Sequence, residues 1–455
     1  MAESTTDPKE LFGTTPVARL FVHAALPGAV GMLVSSLYDV MDGILVGNFI
    51  GETAFAAINL AMPFVIVLFA FGDLIGVGSA VPISIALGEN RDDDANSLFT
   101  CSCLANIALG TFLGLLLWLL APTIFRLLGA TGELAQSATL YLRVYAAFAP
   151  ISTIAYAFDN YLRISGRIRR SLVANTFLGV FGAVLEFIFL GIFGMNIGAA
   201  ALAYSLAIIF SVGIAIWPFF RGELQLKFVR PHFSLAEAWE VFRCGLSTFL
   251  DNVAGRITSI VMNTALLAMG GENAVSIYGC AMFAEGFIIP LLYGILDALQ
   301  PAVGYNWGAR DYQRVKRLEL LCFGSAACLS VFLVILINAA PGFVVRLFLP
   351  QAEEAFMTEA VFALRIFSLG LLLRWFCFAT QMFLVSIGDS VSATLIAVCS
   401  AIAFPLPLIW LLSPLGLTGL WFNSVVNAVL TAALSVVLLL RLRGKVRVMS
   451  AQEQL

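Results

Sequence analysis

Asp39 and Asp42 stand three residues apart inside a long apolar stretch of this 455-residue chain. At that spacing one helical face carries both, with Cβ atoms about 5–6 Å apart. Two carboxylates held so close resist ionising together, and a group that loads and releases a proton needs that property. The alternative is that one of them caps a loop or meets water at the end of its helix. Further ionisable residues stand in apolar surroundings: Asp73, Asp159 and Glu186 in the first half, and Asp251, Arg256, Glu285, Asp297, Arg365 and Arg374 in the second. A charge near a bilayer centre costs about 2.5–3.5 kcal/mol on insertion scales, so these residues are functional candidates by default. Acids outnumber bases eight to three in this set. An acidic interior follows, suited to cationic substrates, protons or sodium rather than anions.

Local spacing separates the candidates. Asp42, Asp39 and Glu186 are the ion-coupling candidates. Asp73 follows Gly72 and precedes Gly76 and Gly78, glycines that permit close helix approach. It is expected to line a cavity with Asp251, Asn252, Glu285, Asp297, Tyr38 and Asn263. Asp159 lies four residues before Arg163, where a structural ion pair is the better reading. Asp251 and Asn252, with Arg256 five residues beyond Asp251, suggest a local polar network. Glu285 and Asp297 are twelve residues apart, about 18 Å of helix, and share a small site only if the chain bends. Pro290 between them permits a bend. Pro27, fifteen residues before Asp42, is either a hinge that lets charge state alter helix shape or a static kink.

The elements that must hold these residues are membrane helices. Hydrophobic residues make up 60% of the chain and charged residues 12%, against about 45–50% and about 25% in soluble domains. Apolar runs give twelve spans, near 17–47, 53–83, 95–121, 135–160, 167–192, 197–218, 238–270, 273–305, 313–339, 357–386, 390–412 and 416–441. Several exceed the ~20 residues needed to cross, so tilted or bent helices are expected. The chain also repeats itself. Gly51-Glu52-Thr53-Ala54 returns as Gly271-Glu272-Asn273-Ala274, Ala61-Met62 as Ala281-Met282, Ile75 as Ile295 and Gly88 as Gly308, all 220 residues apart. Tandem homologous halves are a common plan for secondary transporters, with the substrate site near the interface of the repeats.

This divides the chain into a polar segment 1–16, an N-lobe of six spans at 17–220, a linker at 221–237, a C-lobe of six spans at 238–441 and a tail at 442–455. No cleavable signal peptide is apparent, since the first sixteen residues are polar and a long span follows. Basic residues set the orientation. Arg163, Arg167, Arg169 and Arg170 lie near or between spans four and five. Arg221, Lys227, Arg230 and Arg243 surround the linker, and Arg310, Arg314, Lys316 and Arg317 lie between spans eight and nine. Arg441, Arg443, Lys445 and Arg447 form the tail, while the opposite connections carry Arg126 and Arg346. The positive-inside rule then places both termini in the cytoplasm of a plasma-membrane protein. Charges dispersed between spans do not form a nucleic-acid patch.

The eight cysteines read as reduced, buried packing residues, and with two histidines they offer no metal-site spacing. No P-loop, Rossmann glycine pattern or HExxH motif is present, so energy must come from an ion gradient or a partner.

The stretch Leu37-Tyr38-Asp39-Val40-Met41-Asp42-Gly43-Ile44-Leu45-Val46-Gly47 resembles the first-helix signature of the multidrug and toxic compound extrusion (MATE) transporters. Leu299-Gln300-Pro301-Ala302-Val303-Gly304-Tyr305-Asn306-Trp307-Gly308-Ala309 resembles the segment that closes their eighth span. Gly51-Glu52, Gly270-Gly271-Glu272 and Gly198-Ala199-Ala200 also fit, and the resemblance covers essentially the whole chain. It implies an all-α integral membrane fold, two six-helix bundles forming a V-shaped cavity, and export of organic cations or amphipathic compounds in exchange for protons or sodium. Asp42 matches the family's coupling aspartate, and Glu186 falls where some members carry a fifth-helix aspartate. The chain departs from the family at Gly182, where those members have an asparagine, near Ala203, where they have a threonine, and at Gly255 and Arg256, near their seventh-helix glutamate. A family sodium site is therefore not carried over intact. Asp297 and Glu285 replace residues that are usually uncharged, which marks them as candidate substrate determinants.

The leading reading is a cation-coupled multidrug antiporter working by alternating access. It is not an enzyme, and it needs no cofactor beyond the transported proton or sodium. Its partners are small cationic or amphipathic substrates and membrane lipid, without nucleic acid, and it acts as a monomer. The main alternative is a flippase of the same superfamily for lipid-linked or amphipathic cargo, which a basic cavity would favour. A receptor or scaffold leaves the repeat and the buried acids unexplained, and no filter-like loop suggests a channel.

Overall fold

In lipid every backbone polar group must find its partner within the protein, and a helix satisfies this along its own length. The computed structural model accordingly holds only helices and their connections among its described residues, 8–348 and 354–452. The described part leaves out the side chains of Pro8, Asp39, Val40, Glu52, Glu272, Phe283, Ala284, Phe287, Ile288, Leu347, Phe348, Ala355 and residues 444–452.

A short helix, α1 (Pro8–Gly13), precedes α2 (Val17–Phe49), α3 (Glu52–Gly88), α4 (Asp92–Leu127), α5 (Gly132–Ala147), α6 (Ala149–Ile164), α7 (Ile168–Phe187) and α8 (Ile197–Phe220). After the linker come α9 (Leu235–Asp297), α10 (Gln300–Gly308), α11 (Tyr312–Ala339), α12 (Pro341–Phe348), α13 (Glu354–Ser386), α14 (Ser390–Val398), α15 (Pro405–Leu412) and α16 (Gly416–Gln452). Single π-helical stretches interrupt the fifth and eleventh spans at Ile188–Ile192 and Cys399–Ala403. The fourth span is a bent pair, α5 and α6, meeting at 57°. Nine described helices are long and apolar enough to cross a membrane, ten with that pair. The second arm of α9 with α10, and the break at Gly416 before α16, bring the crossing segments to twelve.

The two halves share backbone detail as well as sequence. Gly51 separates α2 from α3 with φ 114, and Gly271 bends α9 with φ 65. Both conformations are disfavoured for a residue with a Cβ. Asn90 and Arg310, also 220 residues apart, are the two described non-glycine residues at positive φ. The expected linker at 221–237 contains the start of α9, and its extended part lies along α4. There the Lys227 amide donates to the Asn96 side chain (2.6 Å), and the His232 amide donates to the Ser97 hydroxyl (3.0 Å). Residues beyond 441, read as a tail, continue α16 to Gln452.

Glycines let the lobes approach closely. A Cβ on Gly28 of α2 would lie 2.1 Å from the Gly294 carbonyl oxygen of α9, and one on Gly245 of α9 would lie 1.9 Å from that of Leu74 in α3. Gly88 and Gly308 pack in the same way around the axis relating the lobes. Their added Cβ atoms would lie 2.1 and 2.2 Å from the carbonyl oxygens of Tyr305 and Ile85, which are themselves repeat equivalents. These contacts occupy the halves of α3, α9 and α10 nearest the connections at 89–91 and 309–311. A buried apolar cluster runs across both lobes at that end and on through the C-lobe, and a second one fills the far half of the N-lobe. Large apolar side chains such as Phe112, Leu115 and Ile335 are exposed on the outside, where lipid solvates them. Two cysteines depart from the buried expectation: Cys328 is exposed and Cys399 half-buried.

Candidate functional site

Three polar centres lie along the molecule. In the far half of the N-lobe, α2 contributes Tyr38 and Asp42, and α7 contributes Glu186. Asp42 is 3% exposed and Glu186 fully buried. The Tyr38 hydroxyl donates to Glu186 Oε2 at 3.3 Å, and its ring stacks on Tyr204 of α8 at 5.0 Å between centroids. Asp42 and Glu186 lie within reach of each other's side chains. Asp42 Oδ1 and Glu186 Oε1 have no hydrogen-bond partner among the described residues, and neither does the Tyr141 hydroxyl beside them. Among the described residues, no lysine or arginine pairs with either acid there. Gly182, one turn before Glu186, leaves room for the Tyr38 ring, since a Cβ would sit 3.1 Å from Tyr38 Cε2. The side chain of Asp39, the other member of the acid pair, lies outside the described residues.

The second centre joins the lobes. Arg163 of α6, 3% exposed, pairs with Asp159 at 2.6 Å one turn earlier and with Asp297 of α9 in the other lobe. Ser171 and Asn175 of α7 also donate to Asp159, Asn175 at 2.7 Å. Asp73 of α3 is half-buried, within charge range of Asp297, Asp159 and Arg163. Sequence reasoning put Arg163 among the orienting charges between spans. Its burial instead follows from the two carboxylates that surround it, and the one early signal was its i+4 spacing to Asp159.

The third centre is a cavity of about 370 Å³ inside the C-lobe, walled by α9, α13 and the segments after them. Asp251, Asn252, Arg256, Tyr278, Glu285, Tyr293, Arg374, Trp375, Phe378 and Gln381 line it. Arg374 donates to Glu285 at 2.6 Å, and Gln381 hydrogen-bonds Asp251.

The cavity-lining candidates thus separate. Asp251, Asn252 and Glu285 line the C-lobe cavity. Tyr38 belongs to the N-lobe centre, Asp73 and Asp297 to the centre between the lobes, and Asn263 lies one residue past the lining Met262. The expected Asp251–Arg256 network does not form. Asp251 takes Gln381, and Asn252 donates to the Thr248 carbonyl (3.1 Å). Glu285 and Asp297 do not share a site; each has its own arginine. The acids of the expected acidic interior are unevenly spread, because long side chains reach across helices. Among the described residues, two acids stand without a base in the N-lobe, two pair with Arg163 while Asp73 lies within charge range of it, and two meet two arginines in the C-lobe. Pro27 lies inside an uninterrupted α2, directly before the Gly28–Gly294 contact, and Arg365 is exposed on α13. Sequence reasoning missed Arg143 as well. It donates to the Trp118 carbonyl at 3.1 Å and stacks over that ring at 4.8 Å. Gln381, Tyr141 and Tyr204 carried no signal in sequence, being ordinary residues of apolar spans.

Known proteins share this fold. The MatE family model matches residues 27–188 and 248–411, one match in each lobe. The multidrug export protein MepA of Staphylococcus aureus (strain N315) is 25% identical over 442 residues, 96% of each chain. MepA of Staphylococcus saprophyticus is 24% identical over 447 residues, 97% of each. Among solved structures, a MOP superfamily transporter from Pyrococcus furiosus superposes with TM-score 0.89 at 24% identity, covering 99% of this chain and 100% of that one. An outward-facing multidrug resistance MATE family transporter of the MOP superfamily gives 0.88 at 23%, with both chains fully covered. At these identities the structural likeness is one of fold: two six-segment bundles arranged as a V.

Proposed function

The chain belongs to the MatE family, and from that premise we propose that it is a secondary active exporter that exchanges small amphipathic molecules for protons. The observation that carries the coupling is the Asp42–Glu186 centre. Two carboxyl groups buried together without a basic partner cannot both stay ionised at acceptable cost, so a cation must accompany them. One shared proton would answer the free oxygens on both groups, with the Tyr38 hydroxyl already committed to Glu186. Sodium is less well served, because Gly182 and Ala203 add no side-chain oxygen.

Alternating access follows from how the lobes meet. The Lys- and Arg-rich connections favour the cytoplasm for the end where the lobes touch, and with it both termini of a plasma-membrane protein. In this conformation the glycine contacts and the Arg163–Asp297 pair close the cytoplasmic end, and the V opens outward. Protonation at Asp42 and Glu186 accompanies release of cargo to the outside, and rocking of the lobes opens the cytoplasmic end to reload it. Coupling requires that proton and cargo bind the two conformations with different affinity. A monomer suffices, since each chain holds both lobes. The flippase alternative gains some support from the arginines of the C-lobe cavity, although each lies in a cavity with an equal number of acids.

The test is efflux of a fluorescent organic cation from proteoliposomes under an imposed pH gradient or, separately, a sodium gradient. Wild type should respond to the pH gradient, and Asp42→Asn and Glu186→Gln should lose that response while remaining folded. Full activity in both variants would remove coupling from this centre.

A further inference from the structure

The charges lining the C-lobe cavity are balanced, and only some are neutralised within it. Arg374 and Glu285 form a direct pair at 2.6 Å. Asp251 accepts a hydrogen bond from Gln381, a neutral partner, and makes no direct ion pair among the described residues, with Arg374 acting on it only at longer range. Arg256 lines the same cavity and makes no hydrogen bond or ion pair among the described residues. It lies five residues after Asp251 on α9, about 7.5 Å along the helix axis. The cavity therefore presents one unpaired carboxylate and one unpaired guanidinium, with aromatic walls from Trp375, Phe378 and Tyr293. Its volume of about 370 Å³ lies within the about 300–1,000 Å³ typical of small-molecule sites.

We propose that this cavity is a binding site for zwitterionic aromatic compounds, whose cationic group meets Asp251 and whose carboxylate meets Arg256. The assignment deepens the export reading above and rests on it for its biological meaning. A plain monocation answers Asp251 but leaves Arg256 facing a like charge in a partly desolvated space, where repulsion is poorly screened. A plain anion meets the reverse penalty at Asp251. A molecule carrying both charges relieves both, and its flat ring system fills the space between aromatic walls. Arg256 is thus the specificity-determining residue, since it decides between zwitterion and cation. The guanidinium suits that role because it presents a planar fork of donors to a carboxylate.

The probes are the unsubstituted free-acid rhodamine dye, a zwitterion at neutral pH, and its methyl ester, a monocation of nearly the same shape. Binding of each to the full-length protein in lipid nanodiscs is read by fluorescence anisotropy, and transport of each is read separately in proteoliposomes. Wild type should bind the free acid at least about tenfold more tightly than the ester, the ratio that one charge-assisted hydrogen bond confers. Arg256→Gln should abolish the preference while keeping ester affinity, and Asp251→Asn should weaken both dyes. Equal binding of the two dyes to wild type, a preference that survives Arg256→Gln, or no binding of either dye overturns the proposal. Failure of the export reading looks different: the free acid binds with the expected preference, yet neither dye moves under any gradient.

Discussion

Arg163 of the first lobe and Asp297 of the second form an ion pair, and they are 134 residues apart in the chain. Asp159, on the same helix as Arg163, holds the other side of its guanidinium at 2.6 Å. The arginine is anchored in one lobe and clasps the other, so the contact must break whenever the lobes part at that end. Breaking a buried pair by truncating one partner costs about 3–5 kcal/mol, because a charge is left uncompensated.

Arg163→Ala is therefore expected to loosen the closed end. Hydrogen–deuterium exchange should rise in residues 300–308 and 85–91, at the lobe contact, and much less in the far half of the N-lobe. Asp297→Asn should act in the same direction, more weakly, since Asp159 still neutralises the arginine. Exchange unchanged from wild type in both variants would mean that the pair does not hold the lobes together.

Gly88→Val and Gly308→Val each push a side chain into a backbone carbonyl that lies 2.1–2.2 Å from where the Cβ would be. Overpacking of this kind costs about 1–3 kcal/mol or more. Because the carbonyl belongs to the opposite lobe, the relief available is separation of the lobes. Both variants should lower thermal stability and slow transport. Gly324→Ala, which places its Cβ in open space on an exposed helix face, should leave stability unchanged or slightly raised.

Gly271→Ala tests backbone conformation rather than packing. Nothing lies within 4 Å of its added Cβ, but its φ of 65 and ψ of −159 belong to glycine alone. The cost should be about 1–3 kcal/mol, seen as a lower melting temperature, and Gly51→Ala should match it through the equivalent turn. A melting temperature equal to wild type in both would show that the turns relax freely.

Asp42→Asn should separate transport from stability. Gradient-driven efflux is expected to disappear. The melting temperature should hold or rise, since a buried carboxylate without a basic partner gives way to a neutral amide. Loss of stability comparable to that of Arg163→Ala would instead make Asp42 a structural residue. Efflux in sodium-free buffer at a fixed pH gradient separates the two coupling ions: sustained transport supports protons, and an absolute requirement for sodium overturns that choice.

The sequence carried the lobes, the twelve crossing segments and the register of the repeat, because lipid solvation demands long apolar helices and duplicated turns demand duplicated glycines. Gly51 and Gly271 were legible as a pair for that reason. The buried acids were legible too, since a charge in apolar sequence is costly wherever the helix turns. Only the tertiary structure decided what each acid meets. A membrane helix apolar on most faces does not record which way a given residue points, so nothing local distinguished Asp42, left with Glu186 and Tyr38, from Asp297, joined to Arg163. Nor did it show that Glu285 would find Arg374, 89 residues away, or that Arg163 would leave the solvent for the seam between the lobes. Those pairings depend on how the lobes dock, and docking is set by glycine contacts whose partners lie in the other half of the chain.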